Sequence, residues 1–437
     1  MKTKFLSVCI FLLIISCSPK SNLEISVKDI KKEGITILQN KSNINTDEVF
    51  DVVKVSLSEL EKKIINWNYP NFNSSNLLPH IEFNNSFKIS KTSSFFNNVS
   101  ENIYKKDILI HEGKIVFIDD YSNIVVLDEN LKLVNKYQVH KKKYFSDYHL
   151  KFSIIVNNNI LYVSDNLGFI YAYNLNNNEV IWKNNLGVPF LSNLAIYKDN
   201  IYVINSNGKI FSINSLNGNQ NWSFETGSDT AKSYNAFKLA VANDKLIFSN
   251  DFGIITCIDL EKQSIIWNLT MEPSSVYSDN NLFEIASPVI ANNDLFLVSS
   301  YGKFQKLDLN TAKIYWSVNE SSSLTPLINN EIIAAANHEG FFSIYNKNSG
   351  KILYKKNIIN YLRSNKIKTK STKIDNIFVA SNKFYLITND GYIITIDSKN
   401  LETINYKNIS DSFKSNPAIA NNILYLVGDK ETIYKIQ

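Results

Sequence analysis

Arginine is nearly missing from this chain: Lys and Arg total 46, and Arg363 is the single arginine. Phosphate and base-edge recognition rely on the planar, bidentate guanidinium. No basic stripe or nucleic-acid motif takes its place, so no nucleic-acid partner is expected. Cysteine is almost as scarce. Cys9 and Cys17 fall in the first twenty residues and Cys257 stands alone further on, which rules out an intramolecular disulfide framework. The 13 glycines include no pair separated by one residue and none that precedes Lys-Ser or Lys-Thr, so the dinucleotide and P-loop fingerprints are absent. The five histidines, His80, His111, His140, His149 and His338, show no metal-ligand spacing. No acid/base pair stands out. The reading is therefore of a protein without catalytic residues, cofactor, metal or small-molecule substrate.

Long hydrophobic runs are missing too. The longest is Phe5 to Ile15, behind the basic end Lys2 and Lys4, and about eleven residues is too short for a permanent membrane span but suits a signal peptide. The junction Ile14-Ile15-Ser16-Cys17 resembles the bacterial lipobox, which predicts cleavage after residue 16 and acylation of Cys17. Ser18 in place of Asp favours sorting to the outer membrane, and several acyl chains attach a protein stably without a spanning helix.

Short runs rich in β-formers dominate the rest, with 23 Tyr and 26 Phe against 2 Met. They repeat. ILYVSDNLGFIYAYNLNNNEVIW from Ile160, NIYVINSNGKIFSINSLNGNQNW from Asn200, KLIFSNDFGIITCIDLEKQSIIW from Lys245 and DLFLVSSYGKFQKLDLNTAKIYW from Asp294 are copies of one unit, and weaker copies start at Lys114, Glu331, Lys383 and Ile423. The turn position recurs at Asn123, Gly168, Gly208, Gly253, Gly302, Gly340, Gly391 and Glu431, a period of 44 over seven intervals. Each unit reads as three strands, and a fourth precedes it in segments such as NLAIYKD, SPVIANN, LTPLINN and NPAIANN. Four short antiparallel strands per unit and eight units predict an all-β, eight-bladed β-propeller.

Trp182, Trp222, Trp267 and Trp316 end four units, with Tyr137, Tyr354 and Tyr406 as equivalents, and recurrence in every blade argues for packing between blades. By the same logic Asp128, Asp259, Asp308 and Asp397 are expected to form local Asx turns, and Cys257 to be a buried structural thiol. The last unit ends at Gln437 one strand short. LEKKIINW, ending at Trp67, looks like the tail of a unit, so residues 51–70 are expected to supply the missing strand and close the ring. The organisation expected is 1–16 signal peptide, 17–50 lipidated tether and 51–437 propeller.

Repeats of this kind occur in the PQQ-like family, which holds both quinoprotein dehydrogenases and the outer-membrane assembly lipoproteins of the BamB type. The chain resembles the second branch in its leader, lipobox cysteine, polar tether and eight repeats. KKEGITILQ from Lys31, NWNYPNFNSSNLLPH from Asn66 and the blade from Ser321 are similar to the alphaproteobacterial members. The resemblance implies a non-enzymatic subunit on the periplasmic face of the outer membrane, docked on the POTRA domains of BamA within the BAM complex through loops between blades. ETGSDTAKSYNAF after Trp222 and NLTMEPSSVYSDNNLFEI after Trp267 are long and partly apolar, and Lys232, Tyr234, Leu282, Phe283 and Glu284 are the expected contacts. The family contact includes an arginine, and neither loop has one. The competing readings are another periplasmic PQQ-like repeat scaffold lipoprotein or a diverged quinoprotein.

Overall fold

The computed structural model describes residues 55–60, 64–84, 86–92, 104–141, 149–225, 237–250, 253–271, 284–300, 302–367, 369, 371–409 and 411–437. Cys17 and the leader lie outside them. The strands form eight separate four-stranded antiparallel sheets, each wound in chain order from an inner strand outward, with one exception. Blades 1 to 7 span 108–138, 152–185, 195–225, 238–270, 289–318, 327–357 and 374–408. Blade 8 contains Ala418–Ala420, Ile423–Val427 and Ile433–Ile436.

Burial explains the composition of each strand. The second and third strands of a blade are covered on both faces by neighbouring blades, so Lys114–Ile118 and Asn123–Leu127 are continuous apolar runs, buried almost throughout. The outer strand is wet. Glu179–Asn185 alternates exposed and half-buried residues, with Trp182 on the inward side.

Asparagine builds the turns. Asn158 and Asn159 (φ 49° and 62°), Asn243 and Asp244 (52° and 56°) and Asn421 and Asn422 (51° and 63°) form two-residue hairpins between first and second strands, where both central residues need positive φ. Asp165 accepts from the N–H groups of Leu167 and Phe169 at the turn between second and third strands, and Asn205 does the same for Asn207 and Lys209. Asp128, Asp259, Asp308 and Asp397 cap the turn before the outer strand, each accepting two local backbone N–H groups.

Blade seams are stitched by the recurring aromatics. The indole N–H groups of Trp182, Trp267 and Trp316 donate to the Ser215, Leu309 and Lys347 carbonyls of the next blade at 3.0 Å, and the Tyr354 hydroxyl donates to Leu401 O at 3.2 Å. Gly218 and Gly350 lie flat under Trp182 and Trp316, where an added Cβ would come within 2.7 Å of the ring. Tyr137 and Tyr406 are not the equivalents of these residues. Strand register puts Asn135 and Asn405 at the Trp position of blades 1 and 7, opposite Val126 and Thr395; Tyr137, two residues on, still packs across the seam on the Tyr173 ring of blade 2 at 5.3 Å, whereas Tyr406 falls on the other, exposed face.

The outer strand of blade 8 is Ile89–Lys91, paired antiparallel with the C-terminal strand through Ile89↔Ile436, Ser90↔Lys435 and Lys91↔Tyr434. The described residues of the expected closing segment 51–70 do not pair there. Trp67 instead exchanges two backbone hydrogen bonds with Ile110 on the inner strand of blade 1. The reason is burial. An outer strand is solvated, and all three residues of Ile89–Lys91 are exposed, whereas Trp67 is 2% exposed and sits in the core shared by blades 7, 8 and 1.

Candidate functional site

The stretch 64–84 circles the axis of the ring and pairs with the inner edges of the blades. Asn421 N–H donates to Ile64 O, Val156 N–H to Asn68 O, Val241 N–H to Ser74 O, Ile290 N–H to Ser75 O, and Ile81 N–H to Val379 O. The acceptors and donors on the blades stand at the end of each inner strand, next to its hairpin, so the segment closes one end of the central channel and satisfies edges that would otherwise be bare. Asn76, 4% exposed, fixes its middle: its Nδ2 donates to Leu239 O and Pro288 O, and its Oδ1 accepts from Asn71.

Among the described residues nothing closes the other end. The turns between second and third strands and the connections between blades share that face, as shown by Leu186, Met271, Ile358 and Ile409, whose N–H groups donate to the turn residues Gly168, Gly253, Gly340 and Gly391. The result is a funnel of about 580 Å³, floored by Trp67 and its successors and open among the interblade connections.

One residue per blade lines it at an equivalent place, four before the residue that pairs next to the hairpin: Asp107, Ser153, Asn193, Lys238, Ser287, Thr325, Asn376 and Asn416. All eight are polar. Several stitch adjacent inner strands. The Asp107 carboxylate accepts from Ile154 N–H, Ser153 Oγ from Leu194 N–H at 2.9 Å, and Asn193 Oδ1 from Leu239 N–H at 3.1 Å. The pattern breaks at Lys238, because the residue in the donor position of the next blade is Pro288, which has no N–H. Pro326 and Pro417 break it again; Ser287 then accepts from Asn71 of the floor, and Asn376 donates to Ser415 O.

Charges gather toward the mouth. Lys105 and His338 face Asp375 at 3.4 and 3.7 Å, and Lys151 lies over the Tyr104 ring. Burial pushes the Asp107 carboxyl up to about 7, although Ile154 N–H, Lys151 and Lys238 pull it down. Among the described residues no group of His, Cys, Asp or Glu could hold a metal ion. Cys257 is fully buried in the seam between blades 4 and 5, and burial pushes its thiol up to about 12, which makes it unreactive.

Of the expected partner contacts, Glu284 lines the funnel, with its backbone N–H on Ser300 Oγ and its carbonyl accepting from Ser300 N–H. Lys232, Tyr234, Leu282 and Phe283 lie outside the described residues. The connections that contain them leave blade 3 after Glu225 and blade 4 after Thr270, and re-enter beside Lys238 and Glu284 at the funnel wall. A third long connection, between blades 6 and 7, was not singled out by its sequence. It carries helix α1 (Ile358–Ser364), capped by the Asn357 side chain on Asn360 N–H and anchored by buried Ile358, Ile359 and Leu362. Arg363 is on this helix, its guanidinium bonded to Thr369 and Asn360. The spacing of Ile358, Ile359 and Leu362 behind an Asn cap was the available signal.

Comparison with known proteins agrees with this architecture. The family model described as outer membrane protein assembly factor BamB matches residues 149–355 and 235–437. An uncharacterized protein of Rickettsia conorii is 22% identical over 367 residues, which are 80% of this chain and 77% of that one. The outer membrane protein assembly factor BamB of Legionella pneumophila is 28% identical over 144 residues, 32% of this chain and 35% of that one. Among solved structures, BamB from Moraxella catarrhalis superposes with a TM-score of 0.63 at 14% identity, over 80% of this chain and 99% of that chain. A europium-containing methanol dehydrogenase superposes equally well, at 0.63 and 11% identity over 83% and 89%, so likeness of shape establishes the fold alone.

Proposed function

Since the chain belongs to the BamB family of outer membrane protein assembly factors, we propose that it is a non-catalytic scaffold of the outer-membrane β-barrel assembly machinery. Acylated at Cys17, it is held on the periplasmic face of the outer membrane and binds the POTRA domains of BamA through the loops around the funnel mouth. The observation that carries this reading is the concentration of long interblade connections on one face, while the opposite end is filled by the chain's own segment 64–84. A scaffold role is in keeping with the family and with Cys257, whose buried thiol is held in its protonated form. No helix among the described residues is long and apolar enough to cross a membrane.

The test is co-purification. Tyr234, Leu282 and Phe283 replaced together by Ala should cost at least about 2 kcal/mol of binding, roughly thirtyfold, and abolish recovery of BamA while the melting temperature of the propeller holds. Retention of BamA by the triple variant would remove the interface from these loops. Cys17→Ser should leave a protein that no longer partitions with membranes as a lipidated species, and membrane fractionation unchanged by that substitution would discard the anchor.

A further inference from the structure

The sequence gives no motif for a small ligand, but a site assembled from one residue per blade leaves no motif. In the polar belt of the funnel, Lys238 is the exception. Its neighbours spend their side chains on stitching inner strands, whereas Lys238 faces Pro288 and makes no hydrogen bond or ion pair among the described residues. Lys373, also on the wall, has its backbone N–H on Asn389 Oδ1 and its carbonyl accepting from Asn389 N–H, and its side chain makes no hydrogen bond or ion pair among the described residues. Lys105, by contrast, is neutralised by Asp375. Lys238 is half-buried, with Asp107 as its nearest opposing charge, and Lys373 is exposed beside it on the wall, so both ammonium groups are open to a ligand that enters the funnel.

We propose that the funnel is a binding site for a small polyanion, a molecule with two or more carboxylate or phosphate groups, held by Lys238 and Lys373 and by the neutral amides and hydroxyls of the belt. Charge supports an anion: among the described residues of the wall, Lys105, Lys151, Lys238 and Lys373 stand against Asp107, Asp375 and Glu284. Asp107 does not offset them fully, since its burial favours the protonated form, which can itself donate to an anionic oxygen. Size supports a small molecule. About 580 Å³ falls within the ~300–1,000 Å³ typical of ligand pockets, and the floor at Trp67–Asn76 prevents a chain from threading through.

The experiment is isothermal titration of the purified full chain in detergent with citrate and, separately, pyrophosphate. At least one should bind with a dissociation constant below about 1 mM. Lys238→Met and Lys373→Met should each weaken that binding tenfold or more. Lys238→Gln, which keeps a polar group facing the belt, should weaken it similarly with an unchanged melting temperature. Lys351→Met, on an exposed turn at the opposite end of blade 6, should leave it intact. Binding of citrate alone assigns a carboxylate ligand and of pyrophosphate alone a phosphate ligand. No binding of either probe up to about 10 mM, or equal loss in the Lys351 and Lys238 variants, overturns the site.

Discussion

Seven of the eight blade seams join blades that are neighbours in sequence, and the eighth joins the two ends of the described chain. Four of the seven rest on an aromatic that recurs in the outer strands of blades 2 to 6 and reaches a carbonyl of the next blade. The seam between blades 8 and 1 uses residues that belong to no unit. Ile89–Lys91 supplies its outer strand, Lys435 Nζ donates to Glu129 O, and Trp67, Ile81 and Phe83 fill the core behind it. At its mouth Lys106 contacts both Asp120 (2.5 Å) and Glu431 (2.6 Å). A repeat carries its own joints; closing the ring required residues selected for that place alone.

The largest effect that separates the two kinds of seam is truncation. A chain starting at residue 51 should melt like the full protein, whereas one starting at 93 loses Trp67, Ile81, Phe83 and the closing strand. At about 3–5 kcal/mol for each large aromatic in a core, that loss exceeds the usual stability of a domain, and cooperative unfolding should vanish from calorimetry. Equal melting of the two chains would mean that blade 8 closes without its fourth strand.

Within the repeat seams, Trp316→Ala should cost about 3–5 kcal/mol in denaturant unfolding, because the ring is 9% exposed and its N–H is bonded across the seam. Trp222→Ala should cost less, about 1–3 kcal/mol, since that ring is only partly buried at the blade 3–4 seam. The reverse order would show that ring burial does not govern these joints.

The closing seam should also respond to pH. Burial disfavours the Lys106 ammonium, but Glu431 and Asp120 outweigh it and raise its pKa, as an ion pair demands. Burial raises Glu431 as well, to about 7, with Lys106 opposing and Asp120 and Asp119 adding to the rise. The two directions conflict if each carboxylate is to have its own cation. One ammonium compensates one carboxylate, so Glu431 holds a proton more readily than it would in an unfolded chain. Its contribution is full below about 4.5 and is lost as pH rises through about 7, with a slope of at most about 1.4 kcal/mol per pH unit. Glu431→Gln should flatten the wild-type decline over that window in pH-dependent denaturation; an identical pH profile for the variant would assign the decline elsewhere.

The smallest effect is expected at the mouth. Glu284→Lys should change folding stability by less than about 0.5 kcal/mol, while weakening BamA binding in a salt-dependent manner if the partner surface is basic. A large loss of stability would make Glu284 a seam residue instead of a surface one.

The sequence by itself determined the blades. A period of 44, apolar second and third strands and Asn or Gly turns encode local hairpins, and each is formed within one unit, so pattern and turn chemistry suffice to read them. Trp182, Trp267 and Trp316 were legible as joints for the same reason. Tyr137 and Tyr406 were not legible as occupants of the same position, because the turn before the outer strand is one residue shorter in blade 1 (Asp128 N–H to Lys132 O) and one longer in blade 7 (Asp397 N–H to Thr403 O) than in blade 5 (Asp308 N–H to Lys313 O), and blade 7 lacks the bulge of the others, so pairing settles the register. Only the tertiary structure decided the use of 64–92. Trp67 reads as the end of a strand, but the ring gives it a buried floor and leaves the solvated edge to Ile89–Lys91. The funnel belt is likewise a product of assembly. Asp107, Ser153 and Lys238 are scattered polar residues in the chain, and they become one surface because eightfold winding brings the start of every inner strand to a common axis.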